Sequence, residues 1–146
     1  MCFVLYIGTA SPLPLRPWRK EAPALSVNKT SANALAIKAH FTSRVVQYVG
    51  STSGCGCDFP HVLTDTWRSP MFQLEAFPET DASEHSNAQE LVKLLQASGE
   101  KTVEVYGVWD GDFTEAPEAR ESISLSSILD PHFRFKEKGF YTVQVD

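Results

Sequence analysis

The segment Cys2-Phe3-Val4-Leu5-Tyr6-Ile7 is apolar on both of its alternating faces. Side chains of a strand project in turn to opposite sides of a sheet, so a strand with no polar side has to be covered on both. The segment predicts a central strand, closed by Gly8, in a sheet with cover above and below. Any fold the chain adopts must supply two layers of cover.

The rest of the chain supplies them as an alternation of strands and helices without a strict repeat. Ser11 to Pro23 carries Pro12, Pro14, Pro17 and Pro23, whose fixed φ and missing donors forbid helix interiors and ladder positions, so it reads as an ordered surface loop. Ala24–Asn28 alternates as a short strand. Thr30 or Ser31 caps a helix reaching Phe41, with Ala34, Ile37 and Phe41 on one face. Arg44–Val49 is a β-branched and aromatic strand ended by Gly50. Val62–Pro78 reads as irregular or as containing a short strand around Met71–Ala76. The clearest helix is Ser86–Ala97, where Ala88, Leu91, Val92 and Leu95 follow the helical period, Ser86 and Gln89 form a capping-box pattern and Gly99 stands past the end. Thr102–Trp109 is a strand turned by Asp110-Gly111. A polar linker at Glu115–Glu121, an edge strand at Ser122–Leu125, one helical turn at Ser126–Asp130 and a last strand at Gly139–Val145 complete the reading. The class is α+β, a five- to six-stranded mixed sheet with two main helices.

The chain has 146 residues, 42% of them hydrophobic, so one domain spanning residues 1–146 buries enough surface to fold without a disulfide or metal. Lys and Arg number 13 against 18 Asp and Glu, a net charge of −5. That balance argues against nucleic acid as a partner, because phosphate neutralisation needs basic residues. The longest apolar run, Phe3–Ile7, falls far short of the roughly 20 residues of a membrane span, so no membrane partner is expected. The first cation, Arg16, follows that run, which does not fit a signal peptide and points to a cytoplasmic protein. An odd count of three cysteines does not make a secretory disulfide framework. Cysteine is then a packing residue, a metal ligand or a redox thiol.

The chemically loaded stretch is Gly54-Cys55-Gly56-Cys57-Asp58-Phe59-Pro60-His61. With residues 55–57 extended, both thiols face one side. The flanking glycines remove bulk and permit positive φ, so the backbone can wrap an ion or turn its N–H groups to a thiolate. Tetrahedral zinc takes thiolates at about 2.3 Å and imidazoles at about 2.0–2.1 Å, which makes Cys55, Cys57 and His61 three candidate ligands. Cys2 is a candidate fourth. It reaches the loop if the first strand runs antiparallel to Arg44–Val49, and lies at the far end of the sheet if the two are parallel. Cys-x-Cys is an atypical zinc spacing, so a redox or nucleophilic thiol with His61 as base, or small residues packed in a turn, remain alternatives. Catalytic residues, substrate and organic cofactor are not indicated.

Other polar features read as structure. Asp110, Asp112 and Glu115 follow a strand without the calcium-loop pattern, and no phosphate loop follows Gly50. His40, His85 and His132 share no ligand spacing. The opening Met1-Cys2-Phe3-Val4-Leu5-Tyr6, the Tyr48-Val49-Gly50-Ser51 strand end leading into Gly54-Cys55-Gly56-Cys57, and Phe135-Lys136-Glu137-Lys138-Gly139-Phe140-Tyr141-Thr142-Val143 together resemble a family of small uncharacterised bacterial proteins. The resemblance implies a bacterial protein of one domain and carries no activity, cofactor or catalytic residue with it. A different class of function is a non-enzymatic interaction module, as a homodimer, with the Ser11–Pro23 loop and Trp18 or Trp67 as aromatic anchors.

Overall fold

The computed structural model describes residues 2–145; Met1, the first residue of the opening motif, lies outside them. Six strands form one sheet: β1 (Phe3–Thr9), β2 (Ser26–Lys29), β3 (Val45–Gly50), β5 (Thr102–Trp109), β6 (Ala119–Ser124) and β8 (Gly139–Gln144), in the order β2-β3-β1-β5-β8-β6. Neighbours are antiparallel except β6 and β8, which are parallel. Two short strands, β4 (His61–Val62) and β7 (Phe135–Lys136), pair separately in parallel. The chain is one α+β domain, as its pattern of elements predicts.

Every residue of β1 is buried. Phe3, Leu5 and Ile7 enter a core shared with Leu91 and Leu95 of the long helix, while Val4 and Tyr6 enter the opposite core with Ala34 and Ile37. The doubly apolar strand is covered on both faces for the reason its sequence gives: neither face offers a polar group to water.

The two main helices differ in kind. The long helix spans Ala82–Ala97 and starts four residues before the expected Ser86, because Asp81 and Glu84, and not Ser86 and Gln89, complete the capping box. Glu84 N–H donates to Asp81 at 2.8 Å and Asp81 N–H to Glu84 at 3.0 Å. The added turn is polar and solvent-facing, so hydrophobic spacing does not register it. The segment expected as an α-helix to Phe41 is a 3-10 helix, Ala32–His40, with no side-chain cap. Its two buried residues, Ala34 and Ile37, lie three apart, the repeat that a 3-10 helix superposes.

Three expectations about loops are corrected. Met71–Ala76 forms no strand; Leu74–Ala76 is a 3-10 turn, a four-residue helical turn, Thr64–Trp67, precedes it, and Met71 is exposed. The edge strand begins at Ala119, inside the expected polar linker, because it alternates half-buried and exposed residues along β8. The helical turn after it is 3-10, Leu125–Leu129.

Side chains tie the loops to the sheet. Leu13 of the proline-rich loop is buried, and its backbone N–H and C=O are both met by the Gln47 side chain at 2.8 and 3.0 Å. Glu104 on β5, 8% exposed, accepts from the backbone N–H groups of Thr42 and Ser43 at 3.1 and 2.7 Å and from both hydroxyls. These donors hold its carboxyl below the usual range although burial alone would raise it.

Candidate functional site

The β1–β3 pairing is antiparallel, with Leu5 opposite Val49 and Tyr6 opposite Tyr48. The start of β1 and the end of β3 therefore share one edge of the fold, and Cys2 meets the loop that follows Gly50. The sulfurs of Cys2, Cys55 and Cys57 all lie within 4.8 Å of one another, and each residue is half-buried.

The thiols converge through turns and not through strand alternation. Residues 52–59 carry no strand. Ser51 N–H donates to Cys55 C=O at 2.6 Å, Gly54 N–H to Ser51 C=O at 2.9 Å and Phe59 N–H to Gly56 C=O at 3.0 Å. One bond, Gly56 N–H to Phe3 C=O at 2.8 Å, fastens the loop to β1 between the two cysteines. On the other side of Cys2, Asp110 N–H donates to the Cys2 C=O at 2.7 Å. The two glycines serve different needs. Gly54 has φ +90°, in the left-handed region, with the Trp18 ring over it. Gly56 has no positive φ; a Cβ there would lie 2.8 Å from the Phe3 carbonyl oxygen, so its requirement is space.

Side chains from outside also hold the loop. Asn87 of the long helix accepts from Thr52 N–H at 3.0 Å and donates to Thr52 Oγ1 at 3.1 Å. Trp18 Nε1 donates to Thr52 C=O at 2.9 Å, and the Tyr48 hydroxyl to Gly54 C=O at 3.0 Å. Spacing in the sequence gives no sign of Asn87 and Trp18, which come from distant segments, while Tyr48 lies on the strand that leads into the loop.

The three thiols are electrostatically unequal. Burial works to raise Cys55, but the Cys57 backbone N–H, the Ser53 hydroxyl 3.6 Å away and the Cys57 and Cys2 thiols all donate toward its sulfur and bring it below the ordinary thiol value. Cys2 is raised, chiefly because it donates to Cys55 and also by burial. Burial, helped by hydrogen bonds to the other two thiols, pushes Cys57 up to about 12. Cys55 is thus the first to ionise, with its two neighbours as donors.

His61 stands outside this sulfur group. Its ring stacks on Phe3, centroids 4.6 Å apart and 6° from parallel, and Nδ1 is 2.8 Å from the Phe59 carbonyl oxygen. The expected ligand set is therefore brought together at Cys2, Cys55 and Cys57, while His61 packs against the opposite face of β1 through Phe3. Trp18 and Trp67 are engaged within the chain: Trp67 Nε1 donates to Glu137 C=O at 2.8 Å and the Lys136 ammonium lies over its ring at 5.4 Å.

Beside the sulfurs an open cleft of about 450 Å³ runs along the sheet. Cys2 and Cys55 line it together with Val4, Tyr6, Tyr48 and Asn28 of the sheet, where Asn28 pairs with Tyr48, and with Ser31 and Asn33 beyond β2. Among the described residues no helix is long and apolar enough to cross a membrane. Comparison with protein-family models, with curated proteins and with solved structures gives no match. Fold and site define a small α+β protein with a three-cysteine cluster able to hold a metal ion.

Proposed function

We propose that Cys2, Cys55 and Cys57 are the protein ligands of a soft-metal centre, and that zinc is the ion they hold. The convergence of three sulfurs from segments more than fifty residues apart supports this reading. Thiolates at about 2.3 Å in tetrahedral array stand about 3.8 Å from each other, a contraction of the free cluster by no more than about 1 Å. The donor set fits: three thiols, one already low in pKa, with backbone and hydroxyl donors to orient the sulfur. Three protein ligands leave one of four positions for water or an added ligand, the arrangement of open rather than closed zinc sites. A bound ion would also tie the start of β1 to the loop after β3, so binding would add to folding stability.

Elemental analysis of protein purified without added metal, followed by zinc titration of the chelated protein, tests the proposal. One equivalent per chain, lost on replacing Cys2, Cys55 and Cys57 together by serine, is the expected result. Less than about a tenth of an equivalent, with no uptake on titration, would refute it.

A further inference from the structure

The cleft beside the sulfurs has features that the metal centre does not require. Of the four tyrosines, three have their hydroxyls satisfied: Tyr48 by Gly54 C=O, Tyr106 by Glu115 C=O and Tyr141 by Lys136 N–H. Tyr6 is only 3% exposed, lines the cleft, and its hydroxyl has no hydrogen-bond partner among the described residues. Burial, with the Asp110 carboxylate nearby, pushes its phenol up to about 12, so it stays neutral and can donate. The hydroxyl is not among the side-chain atoms shut off from solvent without a partner, so it opens on the cleft, where a ligand acceptor can take the place of water.

The surroundings narrow what that ligand is. Tyr48 and Phe113 stand edge-on to the Tyr6 ring, at 5.6 Å and 74° and at 6.0 Å and 88°, and both line the cleft. Tyr6, Tyr48 and Phe113 thus give the lining an aromatic character, which suits a flat ring better than a branched aliphatic body. Asn28, paired with Tyr48 across β2 and β3, and Ser31 and Asn33 beyond it have side chains that make no hydrogen bonds among the described residues, and they offer donors and acceptors to the cleft. Lys29 and Asp110 contribute one charge of each sign, so the cleft has no net preference for an ion.

We propose that this cleft is a binding pocket for a small flat heteroaromatic molecule, which places a hydrogen-bond acceptor on the Tyr6 hydroxyl, its polar edge on Asn28 and Asn33, and one end against Cys55. The proposal rests on the sulfur-site reading only for the role of Cys55. Convergent polar groups beside aromatic side chains in a concavity of this size are consistent with a small-molecule site.

The test uses nicotinamide, uracil and hypoxanthine as flat probes and cyclohexanecarboxamide as a saturated control. Each is titrated to about 10 mM, followed by amide chemical shifts of the full chain, metal-free and zinc-loaded; this range detects weak, millimolar binding. Expected are saturable shifts for Tyr6, Tyr48, Asn28 and Cys55 with at least one flat probe, no comparable shifts with the saturated control, and about tenfold weaker binding in Tyr6→Phe. That variant removes only an unpaired hydroxyl, so it should fold; Asn33→Ala, at an exposed position, gives a second and independent loss. No saturable shift with any flat probe, equal binding of the control, or unchanged affinity in both variants would overturn the proposal. Probe binding without zinc uptake would retain the cleft and remove the metal centre, and zinc uptake without probe binding would do the reverse.

Discussion

Gly56→Ala tests whether the seating of the cysteine loop on β1 creates the site. An alanine Cβ at position 56 would sit 2.8 Å from the Phe3 carbonyl oxygen and 3.2 Å from both its carbonyl carbon and a ring carbon. Ordinary contact begins near 3.4 Å, so the loop must move out by roughly 0.6 Å or more against backbone that cannot yield. The bond from Gly56 N–H to Phe3 C=O, 2.8 Å, is then weakened or lost. Losing it costs about 1 kcal/mol net, and overpacking adds about 1–3 kcal/mol. A total of about 2–4 kcal/mol corresponds to a melting-point drop of about 5–15 °C for a chain of this size. The shift also parts Cys2, just before β1, from Cys55 and Cys57, on the loop. A site reduced toward two ligands should bind zinc at least about tenfold more weakly, in line with losses from disturbed outer contacts. Thermal unfolding in chelator reads the first effect and competitive zinc titration the second. An alanine variant with unchanged melting point and zinc affinity within about twofold of the parent would show that this seating does not build the site.

Zinc at a thousandfold excess over its dissociation constant should stabilise the chain by about 4 kcal/mol, raising the melting point by about 8–16 °C in a calorimetric scan, with no rise in the triple serine variant. In the metal-free protein, iodoacetamide at neutral pH should alkylate Cys55 ahead of Cys2 and Cys57, as read by peptide mass spectrometry, since its pKa alone is lowered. Equal labelling of all three would contradict that inequality. Glu104→Gln should cost about 2–4 kcal/mol at neutral pH, because the Thr42 and Ser43 N–H groups lose a charged acceptor. The native carboxyl is depressed below 4.5, so its contribution is complete above that pH and fades as pH falls through the lower native value; the melting-point gap between the two proteins should close on acidification. Asp81→Ala should destabilise by about 1 kcal/mol in a denaturant titration, having removed the cap of the long helix.

Position along the chain and side-chain period were enough to identify β1, β3, β5, β8 and the apolar stripe of the long helix, because burial there follows directly from alternation or from the helical repeat. The central place of β1 was legible in six residues, Cys2 to Ile7, with no polar face between them. Legibility ended where apolar period was silent or ambiguous: the first turn of the long helix depends on the polar Asp81 and Glu84, and Ala34 and Ile37, three apart, fit an α-helix and a 3-10 helix alike. Cys55 and Cys57 stood out by composition and Cys2 only conditionally, since its nearness to them turns on the direction of β1 relative to β3. Local sequence cannot set that direction, because antiparallel and parallel neighbours bury the same residues. Pairing across more than forty positions places Cys2 beside the loop, leaves His61 stacked on Phe3, and opens the cleft over Tyr6. Residue chemistry named the sulfurs; the long-range hydrogen bonds of the sheet gathered them.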